Sequence, residues 1–230
     1  MMQDFAEYKD SKWVGRKLLI DGPVGKIEVS THLPQNLTDE NLSDSPDILI
    51  MCHPHPLKQG TMDNKVVTSS ISAFNQEGAF GVRFNFRGVG QTSGVYDKGI
   101  GESEDLIAVY NWVKSCFPKA RIFLGGFSFG TYVAYRAKDK LDLAALLLLA
   151  PAISYEYGLD FIKLPDPKDD LPLSIVMGDA DEVVSPDAIL DWVRNLSCGY
   201  SLVKLKGVSH FFHHNLKALK LAVKQVYERV

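Results

Sequence analysis

At 230 residues, with 46% hydrophobic and 23% charged side chains, the chain is long enough to bury a sizeable core and has an ordinary globular composition. Its formal net charge of −3 gives no basic footprint for nucleic acid and no polybasic stretch for an anionic membrane. Residues 1–12 mix acids, lysines and aromatics without an apolar stretch, which argues against a secretory signal. The longest apolar run, 141–153, contains Asp142 and Pro151 and is too short to span a bilayer. Cys52, Cys116 and Cys198 lack metal-site spacing and read as reduced thiols of a cytosolic protein.

No repeat, low-complexity tract or long linker divides the chain, so residues 1–230 read as one domain. Residues 16–21 and 26–33 read as two opening strands joined at Gly22-Pro23, able to form an antiparallel edge. A buried strand over 47–52 precedes a helix over 65–76. A strand over 79–86 precedes a helix over 102–117, which Gly99 and Gly101 delay. The strand 121–127 runs directly into a helix over 130–138. Buried strands over 144–150 and 173–177 follow, then a helix over 185–195, a last strand over 201–208 and a closing helix over 212–230. Continuous apolar strands alternating with helices predict an α/β fold with a mostly parallel sheet and helices on both faces. In such folds chemistry gathers in the loops at the carboxyl ends of the strands.

Gly126-Phe127-Ser128-Phe129-Gly130 lies at one of these loops, between a strand and a helix. The five-residue pattern is common by chance; its placement on a sharp strand-to-helix turn makes Ser128 a nucleophile candidate. A serine hydroxyl needs a base to take its proton and an acid to hold that base, in the chain order Ser, Asp or Glu, His. After the strand 173–177, Asp179, Asp181 and Glu182 compete for the acid. Asp181 is preferred, three residues past Gly178 and just before Val183-Val184, while Asp187 suits a helix entry. For the base, His210 is expected where the last strand ends, with His213 and His214 starting the closing helix.

Oxyanion stabilisation needs backbone N–H donors. Phe129, next after the nucleophile, supplies one. In Cys52-His53-Pro54-His55-Pro56-Leu57 the prolines have no N–H, leaving His55 as the better second donor and Leu57 as the next choice. Phe211, Phe212, Tyr155 and other aromatics of this region (Tyr157, Phe161, Phe129) are candidates to line an acyl pocket. Residues 150–170 suffice for a flap, not for a large cap. His53 and His55 with His213 or His214 form a rival zinc set, but no helical ligand pair accompanies them. Arg83 to Gly94 has the wrong glycine spacing for a dinucleotide loop, and Arg87 is expected to pair with Glu102 or Asp105.

Together these motifs resemble the α/β-hydrolase superfamily. The stretches from Cys52-His53-Pro54-His55-Pro56 to Asp63-Asn64-Lys65 and from Arg83 to Gly90 look like a compact group of predicted bacterial hydrolases. That group is similar to dienelactone hydrolases and to prolyl-oligopeptidase-type catalytic domains. The resemblance runs from about Leu18 onward and implies an eight-stranded sheet. It also implies nucleophile Ser128, acid Asp181 and base His210. Dienelactone hydrolases use cysteine where this chain has Ser128, and the related peptidases add a propeller or cap absent here. The expected activity is hydrolysis of a small carboxylic ester, with thioester, amide or short-peptide substrates open. The expected partner is a small acyl substrate, with neither cofactor nor metal. A non-catalytic scaffold on the same fold, or a metal-dependent hydrolase, would be the alternative.

Overall fold

The apolar runs become strands buried on both faces, and the alternation within each strand sorts two separate cores. In β3 (Asp47–Cys52), Ile48, Ile50 and Cys52 face one core while Leu49 and Met51 face the other. In β5 (Arg121–Phe127), Ile122 and Leu124 join the first core, Phe123 and Phe127 the second. A strand that must be apolar on both sides shows no polar alternation, which is why these segments read as continuous runs.

The computed structural model describes residues 17–35, 37, 43, 45–153 and 161–230. The other strands are β1 (Lys17–Gly22), β2 (Gly25–His32), β4 (Phe80–Phe84), β6 (Ala145–Leu149), β7 (Leu173–Gly178) and β8 (Tyr200–Leu205). They form one eight-stranded sheet in the order β1-β2-β4-β3-β5-β6-β7-β8. β1, β2 and β4 pair antiparallel, and every pairing from β4 to β8 is parallel. Helices α1 (Lys65–Gln76) and α5 (Leu216–Tyr227) pack side by side over the second core. Helices α2 (Ile100–Cys116), α3 (Phe129–Ala137) and α4 (Pro186–Arg194) cover the first. No helix among the described residues is long and apolar enough to cross a membrane.

Several boundaries depart from the sequence expectation, and four of them have a local reason. β4 stops at Phe84, because the Phe86 N–H turns to the His53 ring instead of the ladder. α2 starts at Ile100 and so contains Gly101. A Cβ there would collide with the Arg87 guanidinium, so this glycine makes room for a side chain and does not delay the helix. β8 ends at Leu205, before a turn through Gly207 at φ 68°. Between it and α5, Phe212 (φ 53°) and His214 (φ 61°) adopt left-handed turns, so neither His213 nor His214 is helical.

Candidate active site

Ser128 joins β5 to α3 and holds φ 53°, ψ −121°, a region that costs a non-glycine residue roughly 1–3 kcal/mol. The surroundings enforce it. The Ser128 N–H donates to Leu149 O at 2.9 Å, and the Thr131 N–H donates to Ser128 O at 2.8 Å. A Cβ on Gly130 would lie 2.5 Å from Cys52 O, and one on Gly126 would strike the Gly130 carbonyl. The two glycines of the motif therefore serve close backbone approach around the elbow.

The loops after β7 and β8 meet at this elbow. His210 Nε2 lies 3.0 Å from Ser128 Oγ, and His210 Nδ1 lies 2.7 Å from Asp181 Oδ2. Asp181 Oδ1 accepts the Val183 and Val184 N–H groups, both at 2.8 Å, so the carboxylate cannot rotate away. An ionised carboxylate only accepts, which puts the histidine proton on Nδ1 and leaves the Nε2 lone pair facing the serine hydroxyl. All three side chains are buried, His210 at 1% exposure.

The competing carboxylates are separated by their contacts. Asp179 Oδ1 accepts the Gly207 N–H and pins the turn after β8. Glu182 Oε2 accepts the His210 N–H at 3.1 Å, holding the backbone of the histidine, a contact the sequence did not signal. Backbone bonds from Asp179 N–H to Leu205 O and from Ala180 N–H to Val208 O continue the seam between the two loops. His210 itself lies in this loop, five positions beyond Leu205, and not at the strand end.

A cleft of about 220 Å³ opens over Ser128, walled by Pro54, His55, Phe129, Val183, His210 and Phe211 among others. Phe129 is the first residue of α3, where a helix leaves its N–H without an intrahelical acceptor. His55 shares the cleft, whereas the Leu57 side chain is 68% exposed and its N–H donates to His55 Nδ1 at 3.2 Å. Phe211 is 38% exposed and lines the cleft. Phe212 does not. The turn at φ 53° sends it into the core beneath α5, where it is fully buried. Phe161 is likewise core, its ring stacked 4.8 Å from that of Tyr135. Tyr155 and Tyr157 lie outside the described residues.

His53 and His55, the core of the rival zinc set, are engaged elsewhere. His53 is completely buried, donates from Nδ1 to Pro54 O at 2.6 Å and accepts the Phe86 N–H on Nε2 at 3.0 Å. His55 Nε2 contacts Tyr96 Oη at 3.2 Å. Among the described residues no group of three or more His, Cys, Asp or Glu side chains is placed to hold a metal ion. Arg87 meets Asp105 in a two-pronged pair at 2.8 and 3.0 Å, while Glu102 accepts the Gly99 N–H at the start of α2.

Burial pushes the His53 imidazole down to about 3. Its folded-state value lies below the unfolded value near 6.5, so between these pH values the unfolded chain binds the extra proton. This stability is complete above pH 6.5 and is lost as pH falls, at up to about 1.4 kcal/mol per pH unit for one proton. Urea midpoints between pH 7 and 5 are expected to fall more steeply for the wild type than for His53→Gln. Parallel slopes would show that His53 does not carry the effect.

This eight-stranded architecture, without a large cap among the described residues, is the α/β-hydrolase fold. No family model matches the chain. An uncharacterised protein of Rickettsia prowazekii is 32% identical over 215 residues, covering 90% of this chain and 86% of its own. An α/β serine hydrolase without a lid from Xanthomonas campestris is 38% identical, with a TM-score of 0.84 over 93% of this chain and 94% of its own. An α/β serine hydrolase homologue from Coxiella burnetii is also 38% identical, with a TM-score of 0.83 over 94% of this chain and 99% of its own. The chain belongs to the α/β serine hydrolase family of the α/β-hydrolase superfamily. At 18% identity, Est1E from Butyrivibrio proteoclasticus shares the fold, with a TM-score of 0.79 over 92% of this chain and 98% of its own.

Proposed function

We propose that the protein hydrolyses a small carboxylic ester through an acyl-Ser128 intermediate, as a serine hydrolase without cofactor. The observation that carries this reading is the hydrogen-bonded chain from Ser128 Oγ through His210 to Asp181 at a strained strand-to-helix elbow. His210 Nε2 takes the hydroxyl proton as Oγ bonds to the ester carbonyl carbon. The N–H groups of Phe129 and His55 receive the charge that develops on the carbonyl oxygen. As the C–O bond to the alcohol breaks, His210 returns the proton to the leaving oxygen. A water then attacks the acyl group by the same route in reverse, releasing the acid and restoring Ser128. Asp181 orients the imidazole and stabilises its transient charge.

The cleft volume of about 220 Å³ suits a small acyl substrate. Est1E, which shares the fold, has been solved with ferulic acid bound, a carboxylic acid of the kind ester hydrolysis releases. Cys52, Cys116 and Cys198 form no disulfide, which supports a reducing, cytoplasmic setting.

Covalent labelling tests the reading. A fluorophosphonate is expected to add one equivalent to the folded protein, with the adduct mapped to Ser128, and none to the urea-unfolded protein. A folded protein that stays unlabelled would favour a scaffold role for the fold.

A further inference from the structure

Resting on the hydrolase reading above, the surroundings of the cleft bear on which ester is cleaved. His210 returns its proton to the departing oxygen, so the alcohol portion lies on the His210 side of Ser128. A second cavity of about 290 Å³ shares Asn64 and Phe211 with the first, and Phe211 adjoins His210 in the chain. Lys65, His213, His214 and Leu216 complete its lining. No carboxylate lines either cavity among the described residues, although acids outnumber bases along the chain.

The acids closest in sequence are committed elsewhere. Asp63 pairs with Lys17 and Arg83, Asp181 holds His210 Nδ1, and Glu182 accepts the His210 N–H. Asn64, which lines both cavities, accepts the Val66 N–H on Oδ1 at 2.9 Å, so its Nδ2 protons are not used in that bond. Lys65 is exposed at the start of α1 and has no carboxylate partner among the described residues. Lys65, Asn64, His213 and His214 thus stand around a cavity whose lining is mostly carbon surface, with Phe211 and Leu216 as its apolar floor.

We propose that the alcohol portion of the substrate carries a negatively charged group, a carboxylate or a phosphate, lodged among Lys65, Asn64, His213 and His214. Binding energy gained there, away from the carbonyl, positions the ester over Ser128.

The test compares kcat/KM at low salt for three butyrate esters of one phenol, bearing a para CH2-carboxylate, CH2-phosphate or uncharged CH2-methylamide group. The methylene limits the influence of charge on the phenol, so the leaving groups have similar acidity. One or both charged esters are expected to exceed the neutral one by about tenfold, equivalent to about 1.4 kcal/mol, with the larger ratio identifying the preferred group. The ratio should shrink as salt is raised. Lys65→Gln should lower it severalfold, and Lys65→Glu should bring it below one. A preference for charge on the acyl side instead, read with glutarate monophenyl ester against phenyl butyrate, overturns the proposal in favour of the opposite wall near Lys58. Equal rates on the charged and neutral butyrates, with Ser128 still labelled, overturn it and leave the hydrolase reading intact. A protein that is neither labelled nor active overturns both.

Discussion

Ser128→Ala and His210→Ala are each expected to lower kcat on a neutral aryl ester by about 10⁶, and Asp181→Asn by about 10⁴. The asparagine keeps an oxygen for the Val183 and Val184 N–H groups, so the loop stays in place. What it presents to His210 Nδ1 is a donor in place of an acceptor, which forces the proton onto Nε2 and removes the base from Ser128. Circular dichroism and melting should therefore stay near wild type while turnover collapses. Because the three groups act as one unit, the double variant Ser128→Ala/His210→Ala should be no slower than either single one. Asp179→Asn keeps an acceptor for the Gly207 N–H and should remain within about tenfold, or about 1.4 kcal/mol of barrier. A collapse in Asp179→Asn with near-normal Asp181→Asn would move the acid by one loop position and refute the assignment.

The largest stability effect is expected at Asp105. Its side chain is fully buried, the Arg87 side chain is 7% exposed, and the carboxylate takes two guanidinium contacts and the Arg87 N–H. Asp105→Ala removes the one buried partner of this guanidinium among the described residues, leaving only the more distant, exposed Glu104 and Asp97, and should cost about 3–5 kcal/mol. For a chain of this size that lowers Tm by roughly 10 °C. Glu104, 3.5 Å from the same guanidinium but 57% exposed, is the control: Glu104→Ala should move stability by less than about 0.5 kcal/mol. Calorimetry that finds the two variants alike would mean that burial does not separate these carboxylates. Arg87→Leu/Asp105→Leu should recover part of the loss, because the cost lies in the uncompensated charge.

The sheet and most helices could be read from the sequence because their signals are local. β3, β5 and α1 fall at the expected residues, since an unbroken apolar run or a helical apolar stripe states its own limits. Gly101 could not be read, because its reason is an arginine side chain fourteen positions away in sequence. Phe212 was equally opaque: beside the exposed Phe211 it has the same residue type, and only the left-handed turn sends one ring to the cleft and the other to the core. The candidate serine, acid and base were legible through their order and spacing. The bracing contacts of Glu182 and His53 were not, since each joins segments whose proximity only the fold creates.

The seam between the loops after β7 and β8 also has a mechanical consequence. Acid and base are laced together by the bonds from Asp179, Ala180, Asp181 and Glu182 to the segment 205–210, whereas a single side-chain contact crosses from His210 to Ser128. The two loops are therefore expected to behave as one cartridge on warming, with the Oγ to Nε2 contact as the weaker joint of the three groups. On warming, the nucleophile and its partner should drift out of register before the cartridge opens. Activity would then fade below the melting transition and return at once on cooling, because the imidazole never lost its orientation.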